Sequence, residues 1–198
     1  MSAEPARAAV LAWLASTRGA GGAWGYTPGS APALEPTLLA AALAPEPELG
    51  WIAAQPTSWA TWMLPLALRR AASAGPLIGA SLKALLAHEG ERVDATAGTF
   101  RGDLAGWAWV PGTFSWVEPT AWAVASLRAA GLAEHPRARE GLEVLADRQC
   151  ADGGWNSGNP DMLGAELPGY PYLTGLVLLA LPPGHPSVGP ALRFLSGP

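Results

Sequence analysis

Two carboxylates stand in the same phrase. Glu35 and Glu118 each precede a Pro-Thr pair, in Glu35-Pro36-Thr37 and Glu118-Pro119-Thr120. Two acids facing one cavity are the minimum for acid–base work on a glycoside or an alkene. The blander reading is a carboxylate at the positive end of a helix dipole, with Pro preorganised for the first turn. Gln55 holds the equivalent place in Gln55-Pro56-Thr57, and an amide caps but does not protonate, which favours the structural reading. Asp161 is a third acid, in a segment with Asn156 and Asn159, where Asp most often makes turns.

Aromatic residues are the second resource. Ten of the 198 residues are Trp, more than a small core needs. Trp107, Trp109 and Trp116 crowd into the stretch Gly106 to Val117. Such a wall suits an isoprenoid chain and stabilises a carbocation by cation–π attraction. It equally suits sugar stacking, or the plugging of a cavity mouth. Trp59, Trp62 and Trp122 fall on apolar segments, where they line a cavity or fill it. Tyr172 begins another such segment. His135 and His185 precede Pro and read as caps or exposed residues, while His88 ends a helix. None has a metal-ligand spacing, and the one cysteine, Cys150, excludes a disulfide framework and a cysteine-rich zinc site. No metal and no cofactor are expected.

A fixed phrase positions these residues. Pro5, Pro76, Pro136 and Pro186 each have Leu six and nine residues on: Leu11 and Leu14, Leu82 and Leu85, Leu142 and Leu145, Leu192 and Leu195. Repetition of this kind signals a repeat architecture. In the third copy Ala138, Leu142, Leu145, Ala146 and Gln149 share one helical face. Arg137, Glu140, Glu143 and Asp147 lie on others, and Arg137 and Asp147 read as solvent-facing. From Thr120 to Leu132 only Ser126 and Arg128 interrupt the apolar residues, so that helix is buried. Amphipathic outer helices thus alternate with apolar inner ones: outer 5–18, inner 36–44, inner 57–73, outer 76–89, inner 119–132, outer 136–149, inner 172–181, outer 186–196. In the linker Ala44 to Trp51 an outer helix is lost or reduced to a turn. Two long loops remain, one from Gly90 to Val117 with Glu91, Arg92, Asp94, Arg101 and Asp103, and one from Ala151 to Pro171.

The length suits one domain, 1–198. A net charge of −4 and the lack of a basic run argue against nucleic acid. The N-terminus has no signal pattern, and the longest apolar stretch, around Leu173 to Leu181, is too short to cross a bilayer. A cytoplasmic protein is expected.

Leu145 to Gln149, followed by Cys-Ala-Asp152-Gly153-Gly154-Trp155, resembles the QW-type repeat of squalene and oxidosqualene cyclases, related to repeats of protein prenyltransferase β subunits. Leu14 to Arg18 with Gly21-Gly22-Ala-Trp24 resembles a second copy, with Arg18 where Gln is expected. Glu89 holds the corresponding place after Leu85, but no Trp follows at that spacing. The resemblance implies an all-α fold, an α/α toroid of about four helical hairpins, with inner helices around a cavity. It also implies that Trp24 and Trp155 are structural. The Asp-x-Asp-Asp and Asp-Asp-x-x-Asp motifs of terpenoid cyclases and synthases are missing, and no prenyltransferase zinc motif surrounds Cys150. The leading expectation is a terpene-cyclase-like or prenyltransferase-like protein. It would bind an isoprenoid or another hydrophobic ligand in a Trp-lined cavity, with catalysis open. The rivals are a non-catalytic scaffold with a filled core and a carbohydrate-active toroid. An incomplete ring would expose apolar flanks near Leu11 to Trp13 and Leu192 to Leu195, so a homodimer through them is expected.

Overall fold

The structure, a computed structural model, describes residues 4–43, 48–93 and 100–197. Linker residues 44–47 and Asp94, named above, lie outside them. The described residues are mostly helical. They form two compact units, Met1–Leu82 and Lys83–Pro198.

In the first unit α1 (Glu4–Thr17) and α2 (Leu34–Ala41) match the first expected outer and inner helices. The linker expected to have lost an outer helix runs into α3, the five residues Leu49–Ala53. The inner segment expected over 57–73 is not one helix. It is a 3₁₀ turn at Trp59–Met63, then α4 (Leu64–Ala67), then a second 3₁₀ turn at Ala72–Ala74. Pro65 is the cause: it lacks an N–H for the Thr61 carbonyl four residues back, and its ring clashes there, so it fits the first turn of α4 but not the middle of a longer helix. The Thr61 carbonyl accepts the Ser81 hydroxyl and the Leu64 N–H instead. Gln55-Pro56-Thr57 therefore opens no α-helix, and Thr57 is exposed. Next comes α5 (Gly75–Ala87), an expected outer helix.

The second unit holds α6 (Val117–Ala129), α7 (Pro136–Asp147), α8 (Pro171–Ala180) and α9 (Val188–Ser196). Here α6 packs on both α7 and α8, and α8 packs on α9. The buried stripe of α7 is Ala138, Gly141, Val144 and Leu145; Ala146 is exposed and Leu142 only half-buried. Gly141 is required there, because a Cβ would meet Val124 at 2.6 Å and Trp107 at 2.9 Å. The second long loop holds an unexpected short hairpin, β1 (Asp161–Met162) and β2 (Ala165–Glu166), paired antiparallel with Asp161 opposite Glu166.

One bracket recurs three times. The indole N–H of Trp24 donates to the Leu14 carbonyl (2.9 Å), that of Trp107 to Leu85 (2.9 Å) and that of Trp155 to Leu145 (2.6 Å). Each Trp backbone N–H donates to a Thr hydroxyl near the start of the next apolar helix, Thr37, Thr120 or Thr174, at 2.9–3.0 Å. Each Trp carbonyl accepts the N–H of the residue preceding that helix, Ala33, Trp116 or Tyr170. The loop between is closed alike, by Gly19 N–H on Ala23, Gly90 on Gly106 and Cys150 on Gly154. Arg18 and Gln149 share a role too, donating to the carbonyls of Gly22 and Gly153. The second copy is thus complete, with its Trp displaced: Trp107 lies 22 residues after Leu85, where the other two lie 10 after their Leu.

Replacing Thr37, Thr120 or Thr174 with Val keeps the shape but leaves a buried Trp N–H unpaired. Each change should cost about 1–3 kcal/mol. Thr57→Val, at the one Pro-Thr pair outside the bracket, should stay within about 0.5 kcal/mol. Urea melts of the four variants check the ranking.

Candidate functional site

The bracket decides which aromatic residues are available to a ligand. Trp107 and Trp155 are fully buried, and Trp24, Trp62 and Trp122 nearly so. Trp107 is the second copy's structural Trp, not part of an open wall. Trp59 and Trp109 are half-buried.

Trp116 is placed differently. It precedes α6, with its backbone N–H on the Trp107 carbonyl at 3.0 Å, while its ring tilts against Phe114 at 4.6 Å between centroids. Tyr170 holds the same repeat position before α8. Trp116 and Tyr170 line one groove of about 290 Å³, together with Phe114, Met162, Leu167 and Pro168. Its polar edge comes from Asn156 to Asn159. The Val117 N–H donates to the Ser157 carbonyl at 3.0 Å, which ties this loop to the start of α6.

The loop is held from beneath. Arg148 donates to Asn159 Oδ1 at 2.8 Å, lies beside Asp147 at 3.3 Å and stacks over Phe100 at 3.9 Å. Burial pushes the Arg148 guanidinium down from its ordinary range, against the pull of Asp147. Asn156 accepts from the Gly158 N–H and donates to the Asn159 carbonyl. Asp152 accepts from the backbone N–H groups of Gly154 and Gly169, closing the loop at its base. Met162 and Tyr170 of the groove lining are exposed, and Leu163, next to Met162 at the hairpin tip, is nine-tenths exposed with φ 52°. A bulky residue in the left-handed region, beside open apolar surface, is typical of a functional loop.

The candidate acids are paired with phenols. Glu118 accepts from the Tyr172 hydroxyl at 3.0 Å, so those two expected site residues do meet. Glu35, in the other unit, accepts from Tyr26 at 2.6 Å, and that bond raises the Tyr26 phenol above its ordinary value. Gln55 donates back to the Trp51 carbonyl at 3.0 Å and opens no helix. Asp161 is half-buried at the start of β1. Cys150 is a buried thiol, raised above its usual value by desolvation, with Asn156 Nδ2 at 3.4 Å. Among the described residues no group of three or more His, Cys, Asp and Glu is placed to hold a metal ion. No described helix is long and apolar enough to cross a membrane.

Two assignments on α7 are overturned. Arg137, expected in solvent, lies 4.4 Å over the Trp107 ring and donates to the carbonyls of Ala105 (2.6 Å) and Gly106 (2.9 Å) and to Glu140 (2.7 Å). Asp147 is largely buried between Arg148 and the Arg101 N–H. The long loop between α5 and α6 folds back over this side of α7, its backbone at Arg101, Ala105 and Gly106 covering both. Of the groove residues the sequence reading missed, Phe114 and Tyr170 were within reach: one stands in the Trp cluster and the other precedes Pro171 as Trp116 precedes its helix. Met162 and Leu167 carried no such signal.

Arg137→Ala should cost on the order of 3 kcal/mol, because it strips a cation stacked on Trp107 and takes a charged donor from Glu140 and from the Ala105 and Gly106 carbonyls. Arg137→Lys, which keeps the charge but not the planar fork, should recover less than half of this loss in the same melts.

A second expectation concerns acid. Burial lowers the His88 imidazole below its ordinary 6.5, and nearby Arg137 adds to this against the pull of the Ala108 carbonyl. His185 is lowered by burial alone. The unfolded chain then takes up protons near 6.5 that the folded chain still refuses. Stability should therefore be full above that pH and fall as pH drops toward the lower, folded values. His88→Gln should flatten this limb of the stability–pH curve.

Comparison with protein-family models, curated proteins and solved structures finds no match to this chain.

Proposed function

We propose that the chain is a repeat protein of the terpenoid-cyclase type, an incomplete α/α toroid, which binds an apolar small molecule between Trp116 and Tyr170. One observation carries the reading. Successive repeats place an aromatic residue at the same position, and the two rings line one groove that the protein itself leaves unfilled. Phe114 and Met162 widen the apolar wall, and the Asn156 to Asn159 edge supplies amides and carbonyls to orient a polar end. The volume sits near the lower end of small-molecule sites, roughly 300 Å³. The ligand is thus a compact terpenoid or a ring-sized apolar group rather than a long polyprenyl chain. The Glu118–Tyr172 pair serves the site as a fixed polar neighbour. Its carboxylate is engaged by a phenol, and the reading is of binding rather than of catalysis.

The rival scaffold reading draws on the burial of Trp24, Trp62, Trp107, Trp122 and Trp155, which fill rather than line. Fluorescence titration with an apolar probe such as a monoterpene alcohol separates the two. The wild type should bind at micromolar concentration, and Trp116→Ala should weaken binding more than about tenfold without moving the melting temperature. A wild type that takes up no apolar probe, while Trp116→Ala melts normally, leaves the scaffold reading standing.

A further inference from the structure

The first repeat has a face that both later repeats cover. On the outer helices the residues five and eight places after the repeat Pro are Ser81 and Ala84 on α5, buried and half-buried, and Gly141 and Val144 on α7, both buried. On α1 they are Val10 and Trp13, exposed to 44% and 55%. On the apolar helices the residues two and six places after the bracket Thr are Trp122 and Ser126 on α6 and Leu176 and Ala180 on α8, none more than 6% exposed. On α2 they are Leu39 and Leu43, exposed to 39% and 44%. These four bare residues line a single groove of about 240 Å³ between α1 and α2.

What belongs in that groove is shown within the chain. The equivalent seat on α7 and α8 is filled by α6, an apolar helix. Val124 and Thr120 of α6 lie against Gly141, and Arg128 reaches the Ala180 carbonyl. The missing occupant is therefore a single apolar helix that brings no outer helix of its own, since α1 already stands in that place.

We infer that the occupant is α1 of a second copy, the two copies seating their first helices reciprocally in each other's α1–α2 groove. Helix α1 has the required character. It opens Glu4-Pro5, as α6 holds Glu118-Pro119, and carries no charge from Ala8 to Thr17. Small residues, Ala8, Ala9, Ala12 and Ala15, permit close approach. Only Leu14 of its residues is buried, although an apolar helix of this kind belongs in an interior. Helix α8 of a second copy does not serve, because α9 rides on it where α1 would have to stand. A two-fold contact of one face with itself is the commonest way for such a face to close. In an antiparallel pair the charged first turns, Glu4 and Arg7, project to solvent at either end. The contact is an interface of the α6 kind continued between copies. It shares no residue with the Trp116–Tyr170 groove, so it stands or falls independently of the ligand.

Light scattering on the full chain, coupled to size exclusion across micromolar concentrations, should give twice the mass of one chain. Leu39→Glu and Trp13→Ala alter exposed side chains, and their thermal melts report whether the fold survives. Each should raise the dimer dissociation constant more than about thirtyfold, as central apolar anchors do. Single cysteines placed at Ala8, Ala9 or Ala12 should form an intermolecular disulfide on mild oxidation at one or more positions, since Cys150 is buried. A monomeric wild type overturns the inference. So does a dimer that neither substitution weakens, and so does a dimer in which no α1 cysteine cross-links.

Discussion

The indole N–H of a repeat Trp on the carbonyl of an outer-helix Leu is the bond from which the rest hangs. Helices as short as α2, α8 and α9 are marginal by themselves, and their stability comes from tertiary contact. The bracket supplies that contact at a helix end. Its Trp fills the space beside an outer helix, donates its one side-chain hydrogen to that helix, and offers its own backbone N–H and carbonyl to the next apolar helix. A Trp buried without those partners would be costly, because each lost hydrogen bond strands a polar group in an apolar interior. The bracket threonines Thr37, Thr120 and Thr174 are therefore chosen for their hydroxyls. Gly106 follows from the same constraint, since a Cβ there would strike the Thr120 hydroxyl at 2.4 Å.

Much of this was legible from spacing. The Pro-to-Leu periods placed the outer helices, the Glu-Pro-Thr phrase placed α2 and α6, and the Gln149 to Trp155 interval gave two of the three brackets. What stayed hidden had local causes that a periodicity does not carry. Pro65 is chemically fit to start a helix as well as to break one, and only the Thr61 carbonyl's other partners show which it does. Trp107 looked surplus because its distance from Leu85 is more than twice the usual interval. Arg137 looked like a solvated charge because helical phase reports which side a residue faces, not whether a loop later folds over that side.

The candidate site lies where the repeat departs from itself. From Trp to Thr the chain takes 13 residues in the first two copies and 19 in the third. The longer third link contains the β1–β2 hairpin and with it Met162, which lines the groove beside Trp116 and Tyr170. Extra residues in a link whose two ends are already fixed by a bracket cannot be absorbed by moving the helices. They are forced outward as a loop. A rigid frame with one elongated loop is a common way for a fold to place a binding surface.

The position before each inner helix shows how one frame supports two kinds of surface. It is Ala33 in the first copy, Trp116 in the second and Tyr170 in the third, each with its backbone N–H on the bracket Trp. Two large rings in adjacent copies cannot both be covered by short links, so they leave a rimmed, ligand-sized groove. An alanine raises no such rim. In the first copy the open surface runs along α1 and α2 through Val10, Trp13, Leu39 and Leu43, and its side is formed by Tyr26 and Pro28 of the preceding link, not by a ring at position 33.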